Sequence, residues 1–263
     1  MNRFGLYVAG LFLSVIGLTS CMKGSNVTEG WACGVVGYGN KNFFNIVLKT
    51  QIGDFYSTSL NSSDLMEGDC CVFYYRLDGD APENSANAIE VNGYYTISLL
   101  QLERLQKFPL SFAFDLSTVL EGEVPVLRGY FAGDYVHNHL FITHIVNQPS
   151  DMELNWILGE TAMPTIDDSG RRYYDLYVRA TVKKEGTTSV KTDTQHMVAY
   201  SIYSYLSNAA STERSLLGSN YNAASSNFTL RFFYVSSIDE ETNTITWQSD
   251  SEEVPVAYFL PGI

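Results

Sequence analysis

Positive charge is scarce in this chain. Sixteen Lys and Arg stand against 29 Asp and Glu, for a formal net charge of −13. Phosphate backbones repel a chain this acidic, so nucleic acid is not among the expected partners. No G-x-S-x-G elbow, H-E-x-x-H pair, P-loop or Rossmann glycine fingerprint occurs. The sequence therefore names no catalytic residue and calls for no cofactor. Beyond residue 20 no apolar run approaches the length of a membrane span. Internal repeats, heptads and low-complexity tracts are also missing. Histidine and cysteine number only four each, which leaves few ways to build a metal site or a disulfide framework.

What is present begins at the N-terminus. Arg3 supplies a short positive region, and Phe4 to Leu18 form an uncharged apolar stretch too short to span a bilayer comfortably. Leu18-Thr19-Ser20-Cys21 then resembles a lipobox, the site at which bacterial lipoproteins are acylated on cysteine and cleaved just before it. An ordinary signal peptidase site would prefer an Ala-x-Ala-like pattern, which is absent. Residues 1–20 are thus expected to be a signal peptide and Cys21 the lipidated residue, with the membrane as first partner. Burial of the acyl chains would contribute roughly 0.8 kcal/mol per CH₂. In lipoproteins of some gut and oral diderm bacteria, acidic residues soon after that cysteine accompany transfer to the cell surface. Met22-Lys23-Gly24-Ser25-Asn26 holds none, which favours an outer-membrane position facing the periplasm. Loss of residues 1–20 removes one cation, Arg3, and no anion, taking the charge from −13 to −14.

Three cysteines remain, Cys33, Cys70 and Cys71. In an exported protein Cys33 can bond Cys70 or Cys71, while a Cys70–Cys71 bridge would strain the peptide between them. The other reading makes all three small buried hydrophobes, and the sequence leaves both open.

Strand signals dominate the mature chain. Trp31 to Tyr38, Phe43 to Leu48, Cys70 to Leu77 and Ala88 to Ile97 are short runs rich in Val, Ile, Tyr and Phe, set off by turn residues. Gly79 to Asn87 reads as an exposed loop. Leu99, Leu100, Leu102, Leu105 and Phe108 then fall at helical spacing in SLLQLERLQKF, which predicts a three-turn helix ended by Pro109. Longer strand signals follow at Val124 to Val136, Leu140 to Val146, Tyr173 to Lys183, Met197 to Tyr205, Asn227 to Val235 and Thr244 to Trp247. Ser211 to Leu217, stopped by Gly218, predicts a short helix. The expected fold is all-β: a tether over 21–29, a small OB-like barrel over 30–105, a short joining helix and a larger β-sandwich over 106–263.

The lipobox, the candidate hairpin turn Gly53-Asp54-Phe55-Tyr56, the strand launched by Gly68-Asp69 in EGDCCVFYY and the longer β region after it resemble NigD-like bacterial lipoproteins. That resemblance implies an N-terminal OB-like barrel, a C-terminal β-sandwich and an envelope protein without known catalysis. It supplies no catalytic residues to carry over.

Three constellations could still carry chemistry. Within DYVHNHLFITH, His137 and His139 are two residues apart. On one unbroken strand both imidazoles would face the same side and could chelate a metal, with Asp134 and His144 nearby. A turn at Asn138 would abolish that chelate. Asp78-Gly79-Asp80, with Glu83 and Asn84, offers oxygen ligands of the kind Ca²⁺ takes, without the ordered spacing of an EF-hand. Tyr74, Tyr75, Tyr94 and Tyr95 supply aromatic surface on which sugars could stack, although adjacent strand residues face opposite ways and half of each pair must point elsewhere. These features support a non-catalytic envelope binding or assembly module, with a protein or glycan partner. Two alternatives stand beside it. One is a pilus-type subunit that donates its tail, Val254 to Ile263, as a strand; the other is an envelope carbohydrate-binding protein or hydrolase.

Overall fold

A computed structural model describes residues 26–39, 45–112, 115–160, 164–220 and 227–255. Cys21, the signal segment and most of the proposed donor tail therefore lie outside the described residues. The chain divides into two compact units. One holds residues 1–107 with the hairpin tip 132–141, and the other holds 108–131 with 142–263.

The first unit is built on a six-stranded sheet. In chain order its strands are β1 (Val27–Tyr38), β2 (Ile46–Thr50), β3 (Gly53–Tyr56), β4 (Cys70–Asp78), β5 (Tyr95–Thr96) and β6 (Ser98–Arg104), arranged β5-β3-β2-β1-β4-β6. The β1–β4 register pairs Trp31 with Tyr74, Cys33 with Val72 and Val35 with Cys70. Side chains alternate along both strands, so Ala32, Val36, Cys71, Phe73, Tyr75 and Leu77 share one face. That face forms the core with Leu48, Phe55, Leu60 and Ile97. Gly53-Asp54-Phe55-Tyr56 is a strand in its own right; the turn before it is Gln51-Ile52. Gly68, at φ +84°, turns the chain into β4 as expected, and its N–H bonds to the Val36 carbonyl at 2.8 Å.

The joining helix expected over 99–108 does not form. Ser98–Arg104 is β6, paired antiparallel with β4, and Lys107–Phe112 is a further strand, β7. The cause is a β-bulge. Tyr74 pairs with Gln101 and Tyr75 with Leu99, so Leu100 has no residue opposite it. The extra residue resets the alternation and puts both Leu99 and Leu102 on the core, while Leu100 is half-exposed. A three-residue spacing produced by a bulge thus imitates a helical one. Leu102→Asp is expected to lower stability by a few kcal/mol, about what burying an unpaired charge costs, whereas Leu100→Asp stays within roughly 0.5 kcal/mol of wild type. Equal losses in chemical denaturation would contradict the bulge.

The first unit's own helix lies earlier. α1 (Ala86–Asn92) occupies a stretch read as loop and strand. Ser85 caps its start by accepting the Ala88 N–H at 3.4 Å, and Gly93 ends it at φ +77° with its N–H on the Ile89 carbonyl at 2.7 Å. These caps at both ends outweigh the strand propensity of Ile89 and Val91.

The second unit's strands belong to a ten-stranded sheet. β8 (Glu123–Val124), β9 (Arg128–Val136), β10 (His139–Pro149), β11 (Glu153–Glu160), β12 (Thr165–Ile166), β13 (Arg172–Lys184), β14 (Lys191–Ser201), β15 (Asn227–Asp239) and β16 (Thr244–Pro255) join β7 in it. The main path is β16-β15-β13-β11-β7-β14-β10-β9, with β8 and β12 paired to β13. β13 runs parallel to β15, and β11 runs parallel to β7. Val254 and Pro255 pair with Phe228 and Asn227, so the described start of the tail extends the chain's own sheet. Helix α2 (Tyr203–Leu217) begins eight residues before its expected start and ends at Gly218 as expected. It buries Tyr205, Leu206, Ala209, Ala210 and Glu213. Both guanidinium contacts from Arg172 to Glu213 measure 2.6 Å, and the Tyr174 hydroxyl donates to the same carboxylate at 2.7 Å.

Candidate functional site

The structure sorts the four candidate tyrosines. Tyr75 and Tyr95 pack on the core of the first unit. Tyr94 is buried against Tyr56 and accepts the Asn45 side-chain amide at 2.8 Å. Tyr74 alone of the four lies on the outer face of β4, where it meets a residue the tyrosine reading missed. Trp31 sits directly opposite on β1, its ring centroid 5.3 Å from that of Tyr74 at an interplanar angle of 43°. The signal was parity: Trp31 alternates against Ala32, Gly34 and Val36, the β1 positions that face the core sheet side. That parity acquires meaning only once the β1–β4 register is known.

Polar groups frame the pair. Gln101 lies across from Tyr74 on β6, and Glu29 lies across from Arg76. The Tyr74 hydroxyl donates to Glu29 Oε2 at 3.2 Å, and Arg76 Nε is 3.6 Å from Glu29 Oε1. Burial and then the Glu29 carboxylate push the Tyr74 phenol above its ordinary range, so it remains a neutral donor. Further along the same face Cys33, Val35, Cys70 and Val72 are all buried. The face therefore runs from sealed apolar packing through a half-buried aromatic pair to an exposed ion pair.

Of the two readings the sequence leaves open for Cys33, Cys70 and Cys71, the structure shows the one in which all three are buried and none is bridged. Cys33 is paired with Val72, and Cys71, paired with Gly34, points to the opposite face of the sheet. Burial pushes the thiols of Cys70 and Cys71 up to about 12, so almost no thiolate exists at neutral pH.

His137 and His139 do not form a chelate on one strand face. His137 and Asn138, at φ +43° and +71°, are the two-residue turn between β9 and β10, and His139 Nδ1 lies 2.8 Å from the His137 carbonyl. Burial and then Lys49 hold His137 below its usual range, against the opposing pull of Asp54. The side chain of Asp134 lies outside the described residues. The acidic loop uses its oxygens internally. Asp80 accepts both the backbone and side-chain N–H groups of Asn26, Asp78 accepts the Asp80 N–H at 3.0 Å, and Asn84 bridges the Asp78 and Thr96 carbonyls. Among the described residues no group of three or more His, Cys, Asp or Glu side chains is placed to hold a metal.

His144 belongs to the second unit, fully buried. Its ring stacks on Trp156 at 4.4 Å and 20°, and its Nε2 meets the Tyr200 hydroxyl at 2.9 Å. His196 packs against the same Trp156. His144 Nδ1 and His196 Nε2 are both buried without a hydrogen-bond partner.

The described residues form an all-β protein in two units, the first of which carries the Trp31–Tyr74 pair on the outer face of its sheet. Residues 24–103 match the lipoprotein OB-domain family. A protein of Parabacteroides merdae has the same fold, with a TM-score of 0.72 at 17% identity over 86% of this chain and 99% of that one. A Bacteroides fragilis protein described as a lipoprotein gives 0.54 at 13% identity over 87% of this chain and 98% of that one. An immunity protein described as NigD-like, from Bacteroides caccae, gives 0.43 at 9% identity over 84% and 91%. No curated protein matches. The family match bears out the lipoprotein OB-domain side of the resemblance, over residues 24–103.

Proposed function

We propose that this chain is a lipid-anchored cell-envelope protein, acylated on Cys21 and facing the periplasm from the outer membrane, in which the OB domain is a non-catalytic binding module. The observation that carries the reading is the match of residues 24–103 to a lipoprotein OB domain immediately after the Leu18-Thr19-Ser20-Cys21 motif. Among the described residues no helix is long and apolar enough to cross a membrane, so acyl chains are the natural anchor for such a module. A binding role agrees with the chemistry of the second unit, whose closest ion pairs are structural. Arg179 with Glu123, Arg172 with Glu213 and Arg231 with Asp175 each tie elements of the fold together.

Metabolic labelling with an alkyne fatty acid, followed by membrane fractionation, tests the anchor. The wild type is expected to carry label and sediment with outer membranes, and Cys21→Ser to lose the label and appear as an unprocessed or released form. Labelling that persists in Cys21→Ser would refute acylation at that residue. Protease added to intact cells tests the orientation, with protection expected for a periplasm-facing domain and digestion for a surface-exposed one.

A further inference from the structure

We propose that the Trp31–Tyr74 face of the OB domain binds a neutral glycan chain. The inference rests on the reading of this domain as a binding module and names its ligand class. The row Trp31–Tyr74–Gln101 crosses three adjacent strands, β1, β4 and β6. At about 4.8 Å between strands it extends for roughly 10 Å, a span suited to consecutive sugar rings. The two aromatic rings lie side by side, centroids 5.3 Å apart and planes tilted by 43°. Aromatic faces attract the C–H-rich side of a pyranose, and amphipathic rings with one polar end are suited to surfaces that are partly wet.

The surrounding polar groups match the other side of a sugar. Glu29 accepts hydroxyl protons, Arg76 donates planar N–H groups and Gln101 does both. The hydroxyl-to-Glu29 bond fixes the Tyr74 ring before any ligand arrives, which lowers the ordering cost of binding. Charge selects the ligand class. Glu29 and Arg76 cancel locally, and the chain as a whole carries −13, so an acidic polysaccharide or a nucleic acid is repelled while an uncharged one is not. The adjoining Cys33, Val35, Cys70 and Val72 are buried, so the open part of this face is the aromatic pair with Gln101 and the Glu29–Arg76 ion pair.

Calorimetric titration of the full lipidated protein, held in a zwitterionic detergent that carries no sugar, tests the assignment. The probes are neutral hexasaccharides of glucose, mannose and xylose, with polygalacturonate as the acidic comparison. Saturable binding to at least one neutral probe is expected. Trp31→Ala and Tyr74→Ala should each weaken it at least tenfold, Tyr74→Phe only a few-fold, and the exposed-residue control Val91→Ser not at all. Unchanged melting temperatures would show that the variants fold. Absence of binding to every neutral probe, preference for polygalacturonate, or full binding by Trp31→Ala overturns the glycan assignment. In-cell photo-crosslinking from position 76 separates the two levels. A protein adduct lost in Trp31→Ala, without glycan binding, leaves the binding module standing and removes the glycan. No adduct and no glycan binding remove both.

Discussion

Glu123→Gln should destabilise the second unit by about 3 to 5 kcal/mol, the usual result of leaving one buried charge without its partner. Arg179 and Glu123 have fully buried side chains and face each other through two contacts, at 2.6 and 2.5 Å. The same guanidinium donates to the carbonyls of Asp115 at 3.0 Å and Thr118 at 2.5 Å, so it ties the 115–124 segment to β13. Trp247 adds a contact from β16, its indole N–H on the Leu116 carbonyl at 3.2 Å. Neutralising the acid leaves the guanidinium charged in a site that excludes water. Replacing both partners at once, with Arg179→Met and Glu123→Leu, should recover much of the loss, because no uncompensated charge remains. Urea denaturation followed by tryptophan fluorescence reads the effect, since Trp156 and Trp247 both lie in this unit. A Glu123→Gln midpoint equal to wild type would show that the pair contributes nothing.

The second large effect is a loss of stability in acid. Burial, reinforced by His196, holds the His144 imidazole down to about 3, and burial lowers His196 as well. Unfolded histidine titrates near 6.5, so between those values the unfolded chain binds protons that the folded one refuses. Stability from His144 is therefore complete above pH 6.5 and is lost as pH falls toward 3, at up to about 1.4 kcal/mol per unit and roughly 4 to 5 kcal/mol in all. Glu160, raised by burial to about 6, works in the opposite sense. His144→Phe keeps a ring against Trp156 and removes the titrating group. Its denaturation free energy should depend on pH less steeply than that of wild type between 6.5 and 4. Parallel slopes would assign the acid sensitivity to other groups.

The sequence disclosed the fold wherever alternation was undisturbed. β4, β10, β13 and β15 lie close to where their apolar runs place them, and the all-β class follows from them. It misled where one residue altered the period: Leu100 turned a strand into an apparent helix. Short elements defined by their ends were equally hard to read. α1 depends on Ser85 and Gly93 rather than on its interior, and the strand reading passed over β11, whose Leu154, Trp156 and Leu158 alternate inward. At the candidate site, composition found Tyr74 but could not choose it over Tyr75, because register decides which face is outward. His144 illustrates the same limit. Its burial comes from Trp156, Tyr200 and Tyr234, carried by three other strands that only the fold brings against it.

The parallel pairing of β13 with β15 has a consequence for biogenesis. Between those strands the chain must complete β14 and α2 before β15 can return to the side of β13. Until the polypeptide has emerged past residue 239, a central strand of the larger sheet keeps an open flank. Such long-range closure is slow compared with hairpin formation, and an unsealed flank invites pairing with other chains. A chain stopped after α2 would therefore leave that flank of β13 unsealed and should not persist as a smaller working domain.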